Sequence, residues 1–104
     1  GLWAQERLLQ TGGGQRAPGD SVFLSCQAFG FRLEISGVRW YRQTPGSSLE
    51  WVSVISSDSS VIDFAQPLQG RAKVSRDNSR FESSLSIRAL QPQDSARYFC
   101  VVAQ

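Results

Sequence analysis

Side chains suited to catalysis or metal binding are few in this chain, and their spacing does not bring them together. There is no histidine, which removes the commonest general base and a common metal ligand. The nine acidic residues are scattered, so carboxylates such as Glu50, Asp58 and Asp63 are better explained as solvated side chains than as a catalytic pair. Residues 12–14 are all glycine but precede no helical pattern, which favours a bend in a strand over a phosphate-binding loop. The sequence therefore predicts no enzymatic activity, no cofactor and no metal site.

The chain has two cysteines, Cys26 and Cys100, which lie far apart in the sequence. A disulfide between them would close most of the chain into one loop, and the chain-entropy argument gives it about 4.5 kcal/mol of stabilisation. Two unpaired buried thiols are the alternative, and two cysteines leave no zinc-binding spacing. Two cysteines near opposite ends of a small domain favour an oxidising compartment. We therefore predict an extracellular location, as a cell-surface receptor ectodomain or a secreted protein.

Length and charge restrict the domain count and the partners. The 104 residues, 40% of them hydrophobic, suffice for one domain and not for two. The eleven basic residues are dispersed and the net charge is only +2, which argues against a nucleic-acid partner. No apolar stretch has the length of a membrane span, so we expect membrane attachment only through a region outside this sequence. Residues 1–4 are predicted to be an extension (a signal, linker or tag remnant) and residues 5–104 the domain.

The pattern of apolar and polar residues predicts the secondary structure that must position these residues. Turn signals rich in Gly, Pro, Asp and Ser recur at the spacing of about 8 to 12 residues that all-β domains show. Between them the apolar residues alternate with period two, which is typical of antiparallel strands with one buried face. On two such runs the residues sharing a face are Val22, Leu24, Cys26 and Ala28, and then Val38, Trp40 and Arg42. The sequence therefore predicts an all-β fold, either a sandwich or a barrel.

The order Cys26, Trp40, Cys100, with Tyr98 two residues before the second cysteine, resembles the signature of immunoglobulin domains. Residues 8–14, 40–53 and 70–79 resemble the first strand and the second and third frameworks of antibody heavy-chain variable domains. This resemblance implies a V-type Greek-key sandwich with a disulfide from Cys26 to Cys100. Trp40 and Tyr98 are then core residues. The resemblance also implies a structural salt bridge between the side chains matching Arg71 and Asp94.

The sequence departs from the heavy-chain pattern in three respects. Residues 40–43 and 90–102 are also similar to T-cell-receptor variable segments, which favours an unconventional T-cell-receptor chain slightly over an antibody. No joining-segment motif follows Cys100, so we expect the final strand to be absent or truncated, or supplied by a partner. Ala72 and Ser83 stand where the heavy-chain family has large apolar residues, so we expect a looser core there or compensation by a neighbour such as Phe81.

By the same resemblance, end loops form a ligand-binding surface. The first loop spans residues 31–37, the second spans residues 56–61, and a third begins at Val101. Serine-rich loops offer adaptable hydrogen bonds, whereas aromatic anchors usually carry the binding energy, and neither of the first two loops has a tyrosine or tryptophan. The second loop is alternatively only a polar turn. The predicted binding residues are Arg32, Leu33, Glu34, Ile35, Ser57, Asp58, Ser59 and Ser60.

One sheet face is a second candidate surface. In the variable-domain family this outer face packs on a second variable domain, and an exposed apolar patch of this kind marks a partner interface. The predicted partner-domain face consists of Arg39, Tyr41, Gln43, Leu49, Trp51, Phe99 and Val101. The alternative is that the third loop folds over the patch.

Three functions fit these observations. The leading prediction is an antigen-recognition variable domain of an adaptive immune receptor, which binds a protein or other antigen. An invariant pairing chain of a pre-receptor, like a surrogate light chain, is the second. An adhesion or inhibitory receptor domain is the third, and it requires no loop diversity.

Overall fold

The computed structural model describes residues 6–103, and of Ala103 only the backbone. Short strands joined by tight turns build this part of the chain, and single 3₁₀ turns are its only helical elements. The strands are β1 (Arg7–Gly12), β2 (Val22–Phe29), β3 (Gly37–Gln43), β4 (Glu50–Ile55), β5 (Ile62–Phe64), β6 (Ala72–Asp77), β7 (Glu82–Ile87) and β8 (Arg97–Ala103). The 3₁₀ turns are Leu33–Ile35, Gln66–Leu68, Asn78–Arg80 and Pro92–Asp94. The predicted extension at residues 1–4 lies outside the described residues.

The strands form two four-stranded sheets, and all pairings are antiparallel. The first sheet has the order β1-β2-β7-β6 and the second the order β5-β4-β3-β8. Because strands that are distant in sequence become neighbours, the connections cross between the sheets in Greek-key fashion. The prediction of an all-β two-sheet sandwich is confirmed.

The core lies between the sheets and contains the inward residues of each alternating run. On β2 the inner residues Leu24, Cys26 and Ala28 are at most 5% exposed. Trp40 is fully buried, and its register partner on β8 is Cys100. Cys26 and Cys100 form a disulfide with their Cα atoms 6.4 Å apart, and no free cysteine remains among the described residues. The disulfide therefore joins β2 of one sheet to β8 of the other beside the indole ring, and the alternative of free thiols is excluded.

The expectation that Phe81 compensates for small core residues is wrong. Phe81 has φ 56° as the left-handed residue after the turn Asn78–Arg80, and its ring is 41% exposed. Ser83 is instead fully buried, and its hydroxyl donates to the carbonyl of Ser75 at 2.7 Å. The hydroxyl is thus satisfied by the neighbouring strand, so a serine is accommodated where an apolar residue was expected.

A single glutamine connects the edge of the second sheet to the first. Gln10 on β1 donates its amide Nε2 to the carbonyl of Tyr98 at 2.6 Å and accepts the Cys100 N–H at 3.1 Å. Its carboxamide therefore bonds to β8 as a neighbouring strand would, on the side facing away from β3. Tyr98 and Cys100 are half-buried beneath it.

The Gln10 carboxamide makes two hydrogen bonds that alanine cannot make. The variant Gln10→Ala is therefore expected to lose about 1–2 kcal/mol of unfolding free energy, measured by urea denaturation. Gln10→Glu keeps an acceptor for Cys100 but has no donor for the Tyr98 carbonyl, so it is expected to be destabilised as well. Gln15→Ala, on an exposed loop residue, is the matched control; a loss of equal size there would contradict this role.

Candidate ligand-binding and pairing surfaces

The first and second loops lie at the same end of the second sheet. The first loop leads into β3 at Gly37, and the second begins where β4 ends at Ile55. Val38 and Ile55 are paired residues in the β3–β4 ladder, so the two loops leave the sheet side by side. Antiparallel pairing thus places two segments about twenty residues apart in sequence on one surface.

Arg76, on β6 of the first sheet, ties both loops together. Its Nη2 donates to the carbonyl of Leu33 in the first loop, and its Nη1 donates to the carbonyl of Ser56 in the second, each at 2.9 Å. Its Nε is held by Asn78 Oδ1 at 2.7 Å, and the Asn78 amide donates in turn to the Ser57 carbonyl at 2.9 Å. Burial lowers the pKa of Arg76. One half-buried guanidinium therefore sets the relative position of the two loops.

The first loop exposes only part of its predicted contact set. The Arg32 side chain is 73% exposed and Ile35 is 70% exposed, whereas Leu33 is 1% exposed and belongs to the core. The prediction of Leu33 as a binding residue is wrong, because the 3₁₀ turn Leu33–Ile35 directs that side chain inward as the anchor of the loop. Arg32 Nε donates to Glu34 Oε1 at 2.8 Å, and this bond lowers the pKa of Glu34.

The second loop is a turn closed by its own side chains. Asp58 Oδ1 accepts from the Ser56 hydroxyl at 3.1 Å and from the Ser60 N–H at 2.9 Å. Ser56 Oγ accepts the Val61 N–H at 2.9 Å, and Ser59 lies in the left-handed region at φ 65°. Ser56 Oγ and Asp58 Oδ1 are therefore committed inside the loop. Their use favours a preorganised surface over an adaptable one, with Ser59 and Ser60 on the exposed side.

Protonation of the Asp58 carboxylate sets the pH below which the second loop loses stabilisation. Hydrogen bonds from Ser60 and Ser56 lower the pKa of Asp58 from 3.8 to about 2. A carboxyl group whose pKa is lowered in the folded state stabilises that state above its unfolded pKa, and this contribution is lost as the pH falls through the folded value. The Ser60 amide, which donates to this carboxylate, is therefore expected to stay protected from exchange down to about pH 3 and to lose protection as the pH approaches 2.

The matched variant for this loop is Asp58→Ala, which removes the acceptor. We expect this variant to show an unprotected amide at Ser60 already at neutral pH, whereas Val61 keeps its acceptor, Ser56 Oγ. Asp63→Ala, at an exposed acid on β5, serves as the control. Protection at Ser60 that is unchanged in Asp58→Ala would contradict the role of the carboxylate.

The outer face of the second sheet carries an aromatic row. Tyr41 on β3 pairs with Phe99 on β8 and with Trp51 on β4, so three aromatic residues stand side by side. The register slips between Trp40 and Tyr41, which leaves Val52 as an extra residue on β4. Val52 and Ser53 are consecutive and both fully buried, as a β-bulge requires. The bulge reverses the alternation along β4 and turns Trp51 outward beside Tyr41.

The remaining predicted residues of this face surround the aromatic row. Leu49 is 53% exposed and Val101 is 43% exposed, which are high values for large apolar side chains. Arg39 and Gln43 are exposed on β3, and the Gln43 amide donates to the Ser47 carbonyl at 3.1 Å. The structure thus brings six residues of the predicted set onto one face of the second sheet, and the seventh, Leu49, lies exposed immediately before β4.

An ionic cluster fixes the end of the sandwich away from the loops. Arg71 Nη1 lies 2.8 Å from Asp94 Oδ2, and Arg42 Nη1 lies 3.0 Å from the other Asp94 oxygen. Arg42 also donates to the Tyr98 hydroxyl at 3.1 Å, and that hydroxyl donates to the Asp94 carbonyl at 2.8 Å. Glu50 completes the cluster at 2.7 Å from Arg42. The structure therefore places the predicted Arg71–Asp94 pair within a larger network.

The pKa of Asp94 reflects these contacts. Burial alone would raise it, and the hydrogen bonds from Arg71, the Gln91 N–H and Arg42 more than reverse that effect, so the pKa lies below its usual 3.8. Burial similarly opposes the charge of Arg42, but bonds to Tyr98, Glu50 and Asp94 raise the pKa of that guanidinium overall. Asp94 is therefore a carboxylate and Arg42 a guanidinium at physiological pH.

A family model described as the immunoglobulin V-set domain matches residues 15–104. The chain belongs to the immunoglobulin V-set family. V-set domains are generally recognition or adhesion modules without enzymatic activity, and they typically bind protein ligands or pair with another immunoglobulin domain. The intrachain disulfide of this V-set domain fits an extracellular protein.

Among residues 6–103 there is no group of three or more His, Cys, Asp or Glu side chains arranged to hold a metal ion. That part of the chain also has no helix with the length and apolar character needed to cross a bilayer.

Sequence reasoning missed three residues that position these surfaces: Arg42, Arg76 and Gln10. Arg42 carried a usable signal, because it shares the inward face of Val38 and Trp40, and a charge on a buried face requires a buried counter-charge. Arg76 and Gln10 carried none, because each bonds to backbone atoms distant in sequence.

Proposed function

We propose that this V-set domain is an antigen-recognition domain of an adaptive immune receptor and that it binds its ligand through the end loops. In this proposal the domain is heavy-chain-like and belongs to an unconventional T-cell-receptor chain or an antibody chain. The observation that carries the proposal is the Arg76 link, which holds two loops at one end with Arg32 and Ile35 exposed. A rigid scaffold that displays fixed loops in this way is the arrangement expected of a binding domain.

The outer face of the second sheet supports a receptor of two paired domains. The aromatic row of Tyr41, Trp51 and Phe99, with the exposed Leu49 and Val101, gives an apolar centre suited to a second variable domain. On this proposal the paired domains present their end loops side by side, on a cell-surface receptor or a secreted one.

The state of the loops favours a second candidate, an invariant V-like chain that pairs in a pre-receptor or acts in adhesion. Neither loop displays a tyrosine or tryptophan, and the second loop uses its own serines and Asp58 to close itself. A loop that is held by its own hydrogen bonds can bind one invariant partner as readily as it can bind a variable antigen.

Sequencing of transcripts from single lymphocytes distinguishes the two candidates. An antigen receptor should show many different continuations after Cys100, with residues 62–90 nearly constant as the internal control. One identical continuation in every cell would contradict antigen recognition and support the invariant chain or the adhesion domain. The measurement requires no knowledge of the ligand.

A further inference from the structure

We infer that the outer face of the second sheet pairs with a domain that places carboxylates opposite Arg39 and Arg97, and not with a second copy of this chain. The inference rests on the pairing part of the proposed function and adds the chemistry of the partner. It follows from two exposed guanidinium groups on a face with an apolar centre, where the acid in the row of Arg39, Asp63, is separated from it by one strand and none of the ion pairs of residues 6–103 includes either arginine.

Arg39 stands among apolar residues at the upper part of the face, nearer to the end loops. It lies between Val38 and Trp40, which are fully buried, so its own side chain points outward and is exposed. Its register partners are Val101 on β8 and Val54 on β4. Arg39 thus brings a positive charge into the apolar area that a partner must cover.

Arg97 marks the lower end of the same face. It is exposed, it pairs across the strands with Gln43, and its guanidinium carbon lies 5.4 Å from the centre of the Phe99 ring. A guanidinium over an aromatic ring keeps most of its hydrogen-bond donors free for a carboxylate. Four residues of extended strand separate the rows of Arg39 and Arg97, which places the two positive positions about 14 Å apart.

The nearest acids of the second sheet are already engaged or are displaced from these arginines. Glu50 bonds to the buried Arg42 at 2.7 Å. Asp63 lies on β5, where it pairs with Val54, so one strand separates it from Arg39. None of the ion pairs found among residues 6–103 includes Arg39 or Arg97. The carboxylates must therefore come from the partner.

A second copy of this chain is a poor occupant of the face. A two-fold dimer places the same patch on both sides of the interface. It would bring four guanidinium groups into one interface, none of them paired with a carboxylate of its own chain among residues 6–103, and like charges in an interface suppress association. A partner with acids at these two positions gains charge-assisted hydrogen bonds instead, around the same aromatic centre.

The test uses a charge-reversed copy of the chain as the acidic partner. The variant Arg39→Glu/Arg97→Glu has the same apolar face with two carboxylates, and both substituted residues are exposed, so the fold is expected to persist; circular dichroism checks this. Sedimentation velocity is run on the wild type, on the variant and on an equimolar mixture. We expect the mixture to form a heterodimer at least tenfold tighter than either self-association at about 0.05 M salt, and to weaken at about 0.5 M.

A control variant and a neutral variant test whether the charges at Arg39 and Arg97 cause the association. Arg7→Glu/Lys73→Glu makes the same charge change on the other sheet, and its mixture with wild type should not associate. Arg39→Gln/Arg97→Gln removes the repulsion without adding acids, so we expect it to self-associate more strongly than the wild type. A mixture that sediments as its separate components, or a wild type that dimerises as tightly as the mixture, overturns the inference.

Different measurements test the acidic partner and the proposed function. A wild-type dimer that Trp51→Ser abolishes would show that the face pairs but prefers its own copy, which overturns the acidic partner and leaves the recognition proposal standing. Antigen recognition itself is decided by transcript diversity after Cys100, independently of sedimentation.

Discussion

Replacing Asp94 with alanine is expected to lower the free energy of unfolding by about 3–5 kcal/mol, because it removes the buried counter-charge of the Arg42 guanidinium, whose other carboxylate partner, Glu50, is 55% exposed. The Arg42 side chain is 5% exposed and Asp94 is 2% exposed, so water cannot replace the lost carboxylate. Arg71 loses the same partner, although it is less buried at 13%. Urea denaturation of Asp94→Ala and of the wild type measures the difference.

Glu50→Gln is the matched control for this prediction. Glu50 also contacts Arg42, but its side chain is 55% exposed, so the control is expected to lose no more than about 1 kcal/mol. Equal losses in Asp94→Ala and Glu50→Gln would show that burial does not govern the cluster.

The pH dependence of stability gives an independent check on Asp94. Its pKa is lowered on folding from 3.8, so its contribution is complete above that value and is lost as the pH falls through the lower folded value. The wild type should therefore lose stability steeply below about pH 3.8, and Asp94→Ala should show a shallower loss in that range.

The alternation of residue types predicts the sandwich because each sheet has one buried face. Leu24, Cys26 and Ala28 on β2 and Val38 and Trp40 on β3 lie inward as their spacing requires. The pattern works wherever a strand is regular, since the two-residue repeat is a property of the extended backbone itself.

Trp51 is a residue whose direction the two-residue alternation does not predict. Residues 51, 53 and 55 share one parity, so alternation alone would place Trp51 inward with Ser53 and Ile55. The bulge at Val52 reverses its direction, and only the family resemblance placed Trp51 on the outer face. Bulges depend on the register between two strands, which the sequence of one strand does not contain.

Leu33 illustrates a different limit. The position of Leu33 within a loop predicted that its side chain is exposed. A loop must also be anchored to the core, and Leu33, the first residue of the 3₁₀ turn, provides that anchor. The neighbouring Ile35 has similar hydrophobicity and is 70% exposed, so composition alone cannot distinguish the anchor from the contact residue.

Replacing Arg76 with alanine is expected to cost about 2–4 kcal/mol and to release both end loops, because two loop carbonyls lose a charged donor. Hydrogen exchange should rise in residues 31–36 and 56–61 by more than it rises in the core strands β2 and β7. Arg80→Ala is the matched control, since the Arg80 side chain is 70% exposed and its contact with Glu82 is 3.8 Å long. That variant should leave both loops unchanged.

Arg76→Lys separates the geometry of the guanidinium from its charge. A lysine keeps the positive charge, but an ammonium group lacks the planar fork that lets one side chain reach the carbonyls of Leu33 and Ser56 at once. We therefore expect the lysine variant to release at least one loop while it keeps most of the global stability. If both loops stay protected in Arg76→Lys, a positive charge at this position of β6 suffices, and the planar fork of the guanidinium is not what positions the two loops.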